Sequence, residues 1–486
     1  MRPGGEPAFC VIDVGTGGVK CLVFDKRGSL LFKVHSSINF RFDGPAIDFD
    51  PQAVWIEICN LTKNAARECS KKNFQIISVS STSMREGNVF YDSEEKELLA
   101  VPNLDARAYP EAEILQEKLG ERVYSTTGHW PSAIFALTRL KWLEKNKTEL
   151  FKKIRKVSMI NDWVLFKFSG KIVSEPTNGC ETSLFDLAKR DWSEDLIKDS
   201  GLDRSLFPPV QECGTKIDQI SKEVSGKTDL EDSTEVIVGA ADTEAAVAGC
   251  GLFEEGQVAA VAGTTTPVQA VIEAPTLDPQ NRTWTCCHVV PNRWTLESNA
   301  GATGLVFKWW SEVVGKDFGL LDSEVEARKM SASNVKLSIG TSLMNARHPH
   351  PLSGVIQGVN PWTPRSDITF AILQTNSFSV RANLEQLEKV LENKFSEVYF
   401  CGGASRSSLW SQLQADVLGR PLVIHGTGEA TGRGAAMLSA VGAGEFPDMK
   451  KATQSFLSDQ SVLRPDMGSF QNYESQYQSW FADINK

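Results

Sequence analysis

Residues 9–25 read FCVIDVGTGGVKCLVFD, and residues 256–274 read GQVAAVAGTTTPVQAVIEA. Each is an apolar run, a short Gly/Thr turn and a second apolar run, the pattern of a β-hairpin. Aligned on their turns, Gly15-Thr16 falls opposite Gly263-Thr264. Glycine lets a backbone approach a phosphate closely, and successive N–H groups form an anion-binding nest. Two such copies about 250 residues apart predict two related halves, each bringing one phosphate-sized turn to a shared nucleotide. The first turn, Asp13-Val14-Gly15-Thr16-Gly17-Gly18, is not followed by the GK[ST] of a Walker A loop, which sets it apart from P-loop proteins.

The rest of the chain is read outward from these hairpins. At 486 residues it exceeds one ordinary hydrophobic core, so two domains or three are expected. The apolar content of 41% and charged content of 23% are those of a globular protein. With 51 basic against 61 acidic residues the net charge is -10, which argues against nucleic acid as the main partner. The ten cysteines form no CxxC pair and are expected to be reduced. A run beginning at Phe9 that carries Asp13 does not read as a signal peptide, and no stretch of 18 apolar residues is present. The expected location is cytoplasmic, with no membrane partner.

Strand and helix patterns alternate. Asp50-Pro51 reads as the N-cap and first position of a helix. A short buried strand is expected over residues 76–80, then a polar cluster, Ser81 to Gly87. Periodic helices are expected over 133–142 and 160–168, and again over 369–391, 408–418 and 429–441. Alternation with a three-strand opening in each half predicts an α/β fold with a duplicated core. The expected domains are 1–245 and 246–486.

Several residue sets carry chemistry. Asp13, at the expected strand end, is placed to hold Mg²⁺ through water. Thr16, Gly17 and Gly18 in the first turn, and Gly263, Thr264 and Thr265 in the second, are candidate phosphate contacts. Cys401-Gly402-Gly403-Ala404-Ser405 is a third glycine turn between strand and helix, where a helix N-terminus favours phosphate. Gly402, Gly403 and nearby Ser407 are candidate nucleotide contacts. Gly432 and Gly434 read as sites of close helix packing. Asp242 follows Val236-Ile237-Val238-Gly239-Ala240-Ala241 and is the candidate base, since phosphoryl transfer to an alcohol needs a carboxylate to accept the hydroxyl proton. A helix N-cap is the plainer reading of the same residue. Arg85 and Glu86 offer a donor and an acceptor to a small polar substrate. Asn103, Asp105 and Arg107 alternate onto one face of an extended segment, with Asp105 a candidate substrate contact. Trp130 and His129 are candidates to line a sugar face. Trp284, Trp294, Trp309 and Trp310 read as structural, and Thr283, Glu297 and Asn299 as unranked pocket polars. The histidines show no zinc-protease spacing, and His348-Pro349-His350-Pro351 reads as loop.

Asp13-Gly15-Thr16, Asp242, Gly263-Thr264 and Gly402-Gly403-Ala404, in that order and spacing, resemble the FGGY family of carbohydrate kinases from Phe9 to about Gly444. The resemblance implies duplicated actin-like, hexokinase-like (ribonuclease H-like) ATPase domains flanking a cleft that binds ATP and Mg²⁺. It implies Asp242 as catalytic base, Asp13 and Asp242 at the metal, and Gly304 with Gly402 and Gly403 near the nucleotide. It implies a small polyhydroxylated substrate phosphorylated on a hydroxyl, with a homodimer common in the family. Ser83-Met84-Arg85-Glu86-Gly87 with Asn103 to Ala108 is most similar to the branch acting on linear dihydroxypentanedione, so a five-carbon acceptor is expected. Glycerol, erythritol or another polyol is the alternative, because the turn Thr264-Thr265-Thr266 and the run Asp242-Thr243-Glu244 depart from the usual pattern.

Overall fold

The structure, a computed structural model, describes residues 5–328, 333–348, 353–426, 428–457 and 459–484. β1 (Glu6–Gly15) and β2 (Gly18–Asp25) pair antiparallel around the tip Thr16-Gly17, and β3 (Leu30–Ser36) continues the meander. β1 runs two residues past Asp13, so this carboxylate sits within the strand, opposite Lys20. α1 (Pro51–Lys71) starts where expected: Asp50 accepts from the N–H groups of Gln52 and Ala53, and Pro51 opens the first turn. β4 (Phe74–Ser83) then lies parallel to β1.

β4 is twice the length expected, because its polar second half is strand and not loop. It is sandwiched between neighbours, so its serines are buried, and two of them find partners across the core. Ser81 Oγ donates to Ile12 O at 3.1 Å, and Ser78 Oγ lies 2.8 Å from Ser439 Oγ. After β4 comes an inserted lobe that includes α2 (Tyr109–Thr127) and α3 (Ala136–Asn146). β5 (Lys216–Gln219) and β6 (Glu235–Ala241) close the first sheet, whose order is β5-β6-β4-β1-β2-β3, with β6 parallel to β4.

α4 (Asp242–Gly249) leads into the second half. There β7 (Val258–Val261) and β8 (Pro267–Ile272) form the second hairpin, and β9 (Trp284–Cys287) and β10 (Trp294–Asn299) add antiparallel strands. α5 (Thr303–Val314) and the long α6 (Arg365–Leu391) follow. β11 (Val398–Cys401), α7 (Ser408–Leu418), β12 (Leu422–His425), α8 (Ala430–Gly442), β13 (Gln460–Leu463) and α9 (Met467–Ile484) complete the chain. The second sheet has the order β9-β10-β8-β7-β11-β12-β13, with β7, β11 and β12 parallel.

The duplication seen in the two hairpins extends to both sheets. β3-β2-β1-β4-β6 and β10-β8-β7-β11-β12 share one pattern, an antiparallel meander whose first strand begins a parallel trio. α4 and α8 lie between the sheets and exchange sides. α8, from the second half, packs Ala435, Ala436, Met437 and Ala440 against Phe9, Val11, Leu22 and Phe24 of the first sheet. α4 packs Ala246 and Val247 against Ala259, Val261 and Val271 of the second. The two helices touch backbone to backbone: a Cβ on Gly434 would lie 1.8 Å from Ala245 O, and one on Gly249 2.0 Å from Ala430 O. The expected division at 245/246 thus falls inside α4. The lobe also joins the second sheet's core, with Cys180, Phe185 and Leu187 clustering with Cys286 and Trp294. The expected loop at His348 to Pro351 extends beyond the described residues.

Candidate active site

Ligands of open α/β sheets bind beyond the carboxyl ends of the parallel strands. In the first sheet that edge carries Asp13 on β1, Arg85-Glu86 just past β4, and Asp242 just past β6. Register pairs Asp13 with Thr82 and Ala241 with Ser83, so β1 and β6 flank β4 at about 10 Å from each other. Asp242 opens α4 with a half-buried carboxylate that accepts from Thr243 Oγ1 at 3.3 Å. Ala241, not Asp242, is the N-cap. Burial pushes the Asp242 carboxyl up to about 6; Arg85 opposes that rise and Asp13 adds to it. All three groups are therefore electrostatic neighbours.

The two Gly/Thr turns face one cavity of about 700 Å³, within the usual range for a small-molecule site. Thr16 and Gly17 line it from the first half; Gly263, Thr264, Gly304, Gly403 and Ser407 line it from the second. Gly304 is required sterically, since a Cβ there would lie 2.0 Å from Gly263 O. Ser407 Oγ caps α7 by accepting from Trp410 N–H at 3.0 Å. A second cavity of about 430 Å³, between α6 and α9, shares no lining residue with the first.

Three of the expected nucleotide contacts are placed differently. Gly18, at φ +138°, opens β2 against β3, where a Cβ would lie 2.2 Å from Ser36 O. Gly402, at φ +93°, lets the chain pass 2.5 Å (as a Cβ would measure it) from Ala262 O, which presents Gly403 to the cavity. Thr265 is exposed and does not line the cavity; its carbonyl accepts from Gly263 N–H at 3.0 Å and shapes the turn.

Arg85 is nearly fully buried within a carboxylate cluster. Its guanidinium donates to both oxygens of Glu297 at 2.6 and 2.9 Å and to Glu181 at 3.2 Å, with Glu86 at 3.8 Å and Glu244 at 3.9 Å. His129 Nε2 lies 3.1 Å from Glu181, and Cys286 Sγ 3.7 Å from the same carboxylate. Burial would raise the Glu181 carboxyl, but His129 and Arg85 outweigh it and hold it below the usual range. Burial would lower His129; Glu181 and Cys286 instead pull it up to about 10. Burial pushes Glu86 up to about 8 against the pull of Arg85, and likewise raises Glu244.

Two expected substrate contacts are corrected. The Asp105 carboxylate is fully buried and turned inward. It accepts from Ile47 N–H at 2.9 Å and Arg107 Nε at 2.7 Å, and pairs with Arg139 Nε at 3.2 Å. Arg139 in turn donates to Glu86 O, Asn88 Oδ1 and Pro102 O. Asp105 therefore braces the turn that holds Arg85 and Glu86. The turn needs bracing because Glu86 has φ +60°, unfavourable for any residue with a Cβ. The face of Trp130 is taken by Arg347, 4.5 Å from the ring centroid. The aromatic beside Arg85 is Trp284, 5.7 Å from its guanidinium carbon and 5.2 Å from the His129 ring, with its Nε1 buried and unpartnered. Trp294 and Trp310 are structural as expected, donating to Leu187 O and Thr369 Oγ1.

Several charged residues at this edge and around Arg85 were not singled out by local pattern. Lys20 Nζ lies 3.0 Å from Asp13 Oδ2. Glu429, before α8, gathers Lys33 at 2.6 Å and Arg406 at 2.5 Å, and Arg406 lines the nucleotide-sized cavity. The Lys20 pairing follows from the hairpin: a two-residue tip at Thr16-Gly17 sets residue 13 opposite residue 20. Glu181 and Glu297 are separated from Arg85 by 96 and 212 residues, beyond the reach of any spacing argument.

Duplicated sheets of this topology, with facing Gly/Thr turns over a shared cleft, define the actin-like, ribonuclease H-like ATPase class. The chain belongs to the FGGY family of carbohydrate kinases: the family's N-terminal domain matches residues 8–249 and its C-terminal domain residues 258–443. It is thus an ATP-dependent sugar kinase. It is 29% identical to the autoinducer-2 kinases of Salmonella paratyphi A and Escherichia coli K12, over 97% of this chain and 93% of each relative. Ligand-bound xylulose kinase from Lactobacillus acidophilus superposes with a TM-score of 0.88 at 18% identity, covering 99% of this chain and 98% of that one. Plasmodium falciparum glycerol kinase with ADP does so with a TM-score of 0.86 at 18% identity, covering 100% and 99%. Among the described residues no helix is long and apolar enough to cross a membrane.

Proposed function

We propose that the enzyme transfers the γ-phosphate of ATP to a hydroxyl of a small, linear five-carbon acceptor, a pentulose or dihydroxypentanedione, with Asp242 as general base. The observation that carries this reading is the position of Asp242. It couples electrostatically to Asp13, in the strand that ends at the phosphate-sized turn, and to Arg85, in the polar cluster. The acceptor hydroxyl gives its proton to the Asp242 carboxylate as its oxygen attacks the γ-phosphorus. The bond from that phosphorus to the β-γ bridging oxygen breaks, and ADP leaves. A carboxylate with a pKa near 6 is ionised at neutral pH yet basic enough to take a proton in the transition state.

Residues 1–245 would supply the acceptor site and one phosphate turn, and residues 246–486 the nucleotide site. Thr16, Gly17 and Thr264 present backbone N–H groups to phosphate, the last on the turn that the internally bonded Gly263 N–H shapes. Asp13 and Asp242 fit Mg²⁺, which takes carboxylate oxygens together with substrate phosphates: both lie at the same sheet edge, and one Asp13 oxygen is already oriented by Lys20. When bound there, Mg²⁺ would neutralise charge on the phosphates. Arg85 and Glu86 hold acceptor oxygens, and Trp284 forms the apolar side of the pocket. A five-carbon acceptor is supported by the relatives named autoinducer-2 kinase. An ADP-release assay across dihydroxypentanedione, xylulose, ribulose, ribitol, erythritol and glycerol tests it. The highest kcat/KM is expected for a five-carbon compound. A clear preference for glycerol or erythritol would overturn the acceptor assignment, and ADP release with none of them would overturn the reading as a whole.

A further inference from the structure

Arg85, the cation assigned above to acceptor oxygens, is already held from the other half of the molecule. Glu297 belongs to β10 of the second sheet, and its two oxygens take both terminal nitrogens of the guanidinium. Glu297 is itself part of a built wall. Across β9, β10 and β8, the register sets Trp284, Glu297 and Gln269 side by side on one face. Gln269 Nε2 donates to Glu297 at 2.8 Å and to Glu244 at 2.7 Å. On the other side of Arg85, Glu181 is anchored by His129, whose Nδ1 lies 2.8 Å from Thr127 O. All of these carboxylates are buried.

The charge balance of this wall selects its ligand. Arg85 and His129 are the cations of the cluster. Around them stand Glu86, Glu181, Glu244 and Glu297, with Asp242 close by, five carboxyl groups against two cations among the described residues. No positive charge is left over for an anionic acceptor. Hydroxyl groups suit the site because each can donate to one carboxylate oxygen and accept from a guanidinium, whereas an ionised carboxylate only accepts. The fully buried Glu244 Oε2 and Gln269 Oε1, and the buried Trp284 Nε1, have no partner, so hydrogen-bonding capacity remains in the wall.

We propose that Glu297, with Glu181 behind Arg85, is a positioning and specificity residue of the acceptor site: it orients Arg85 across the domain junction and restricts the enzyme to uncharged polyhydroxylated acceptors, rejecting their carboxylate-bearing counterparts. This rests on the acceptor lying at Arg85, as proposed above.

The test compares kcat/KM for neutral five-carbon acceptors (xylulose, ribulose and dihydroxypentanedione) with that for five-carbon aldonic acids (xylonate and ribonate). It uses the wild type, Glu297→Gln, which keeps shape and removes charge, and Glu297→Asp, which keeps charge. Like-charge contacts at a desolvated site are costly, so the wild type should favour the neutral compounds by about 100-fold or more. Glu297→Gln should narrow that ratio by about tenfold or more, raise acceptor KM more than it lowers kcat, and leave the KM for ATP within about twofold. Glu297→Asp should keep the discrimination, which provides a readout if the glutamine variant fails to fold. Wild-type use of the acids within about threefold of the neutral compounds, or an unchanged ratio in an active Glu297→Gln enzyme, would overturn the inference. A wild type that phosphorylates none of these compounds would overturn the acceptor reading, and this inference with it.

Discussion

Asp105→Ala separates two roles for a residue whose spacing suggests substrate and whose surroundings say otherwise. Its carboxylate is the counter-ion of Arg139, a guanidinium that is itself fully buried. Burial already lowers Arg139 to about 10, with Asp105 the largest opposing influence. Removing one partner of such a pair leaves an uncompensated buried charge and costs about 3–5 kcal/mol. For a domain of this size each kcal/mol moves the midpoint by about 2–4 °C, so the first transition in calorimetry should fall by roughly 6–20 °C. A second effect follows from the grip of Arg139 on Glu86 O. Glu86 is held at φ +60°, a conformation costing about 1–3 kcal/mol, and it relaxes once Arg139 is loosened. Acceptor affinity should then drop as a consequence of the stability loss, with nucleotide binding unaffected. Asp105→Asn, which keeps an acceptor for Ile47 N–H and Arg107, should lose less. A melting temperature within about 1 °C of wild type together with a raised acceptor KM would refute the bracing role and restore Asp105 as a direct contact.

Other outcomes follow from the same geometry. Gly304→Ala places a Cβ 2.0 Å from Gly263 O; it should raise the KM for ATP by about tenfold, or about 1.4 kcal/mol, and leave acceptor KM unchanged in initial-rate kinetics. Because Asp242 works as a base only when ionised and its pKa is raised to about 6, kcat/KM should fall about tenfold per pH unit below that value and level off above it. A profile over the acid and neutral range showing loss above pH 6 instead would assign it as an acid. Arg85→Ala leaves Glu297 without its cation and Glu181 with His129 alone and should raise acceptor KM far more than the KM for ATP. A selective rise in the latter would contradict the placement of Arg85.

What the sequence made legible was what local pattern encodes. The paired Gly/Thr hairpins and the strand-end Asp242 carry their meaning in neighbouring residues, and they located the duplicated sheets and the sheet edge on which the proposed chemistry is placed. Patterns that depend on environment misled. Ser81 to Ser83 read as a polar cluster past the strand end until β1 and β6 cover both edges of their strand. Alternation set Asp105 on one face but not which side that face looks toward. Gly18 and Gly402 sit in phosphate-like turns, yet serve close backbone approaches. The acid wall around Arg85 draws on the short helical turn Cys180–Thr182, α4 and β10, segments brought together only by the fold, so no spacing announces Glu181 or Glu244 or lifts Glu297 above the other pocket polars.

The central claim is that Asp242 takes the acceptor proton at the junction of the two halves. Asp242→Asn keeps the side chain's size and removes its basicity. A base of this kind contributes about 10²–10⁴-fold, so kcat should fall by that factor. ADP affinity by calorimetry should stay within about twofold of wild type. Because burial raises this carboxyl to about 6, its ionised form at pH 8 is disfavoured in the folded protein relative to the unfolded chain, so the melting temperature at pH 8 should hold or rise. Near-normal turnover in a correctly folded Asp242→Asn enzyme would contradict the account.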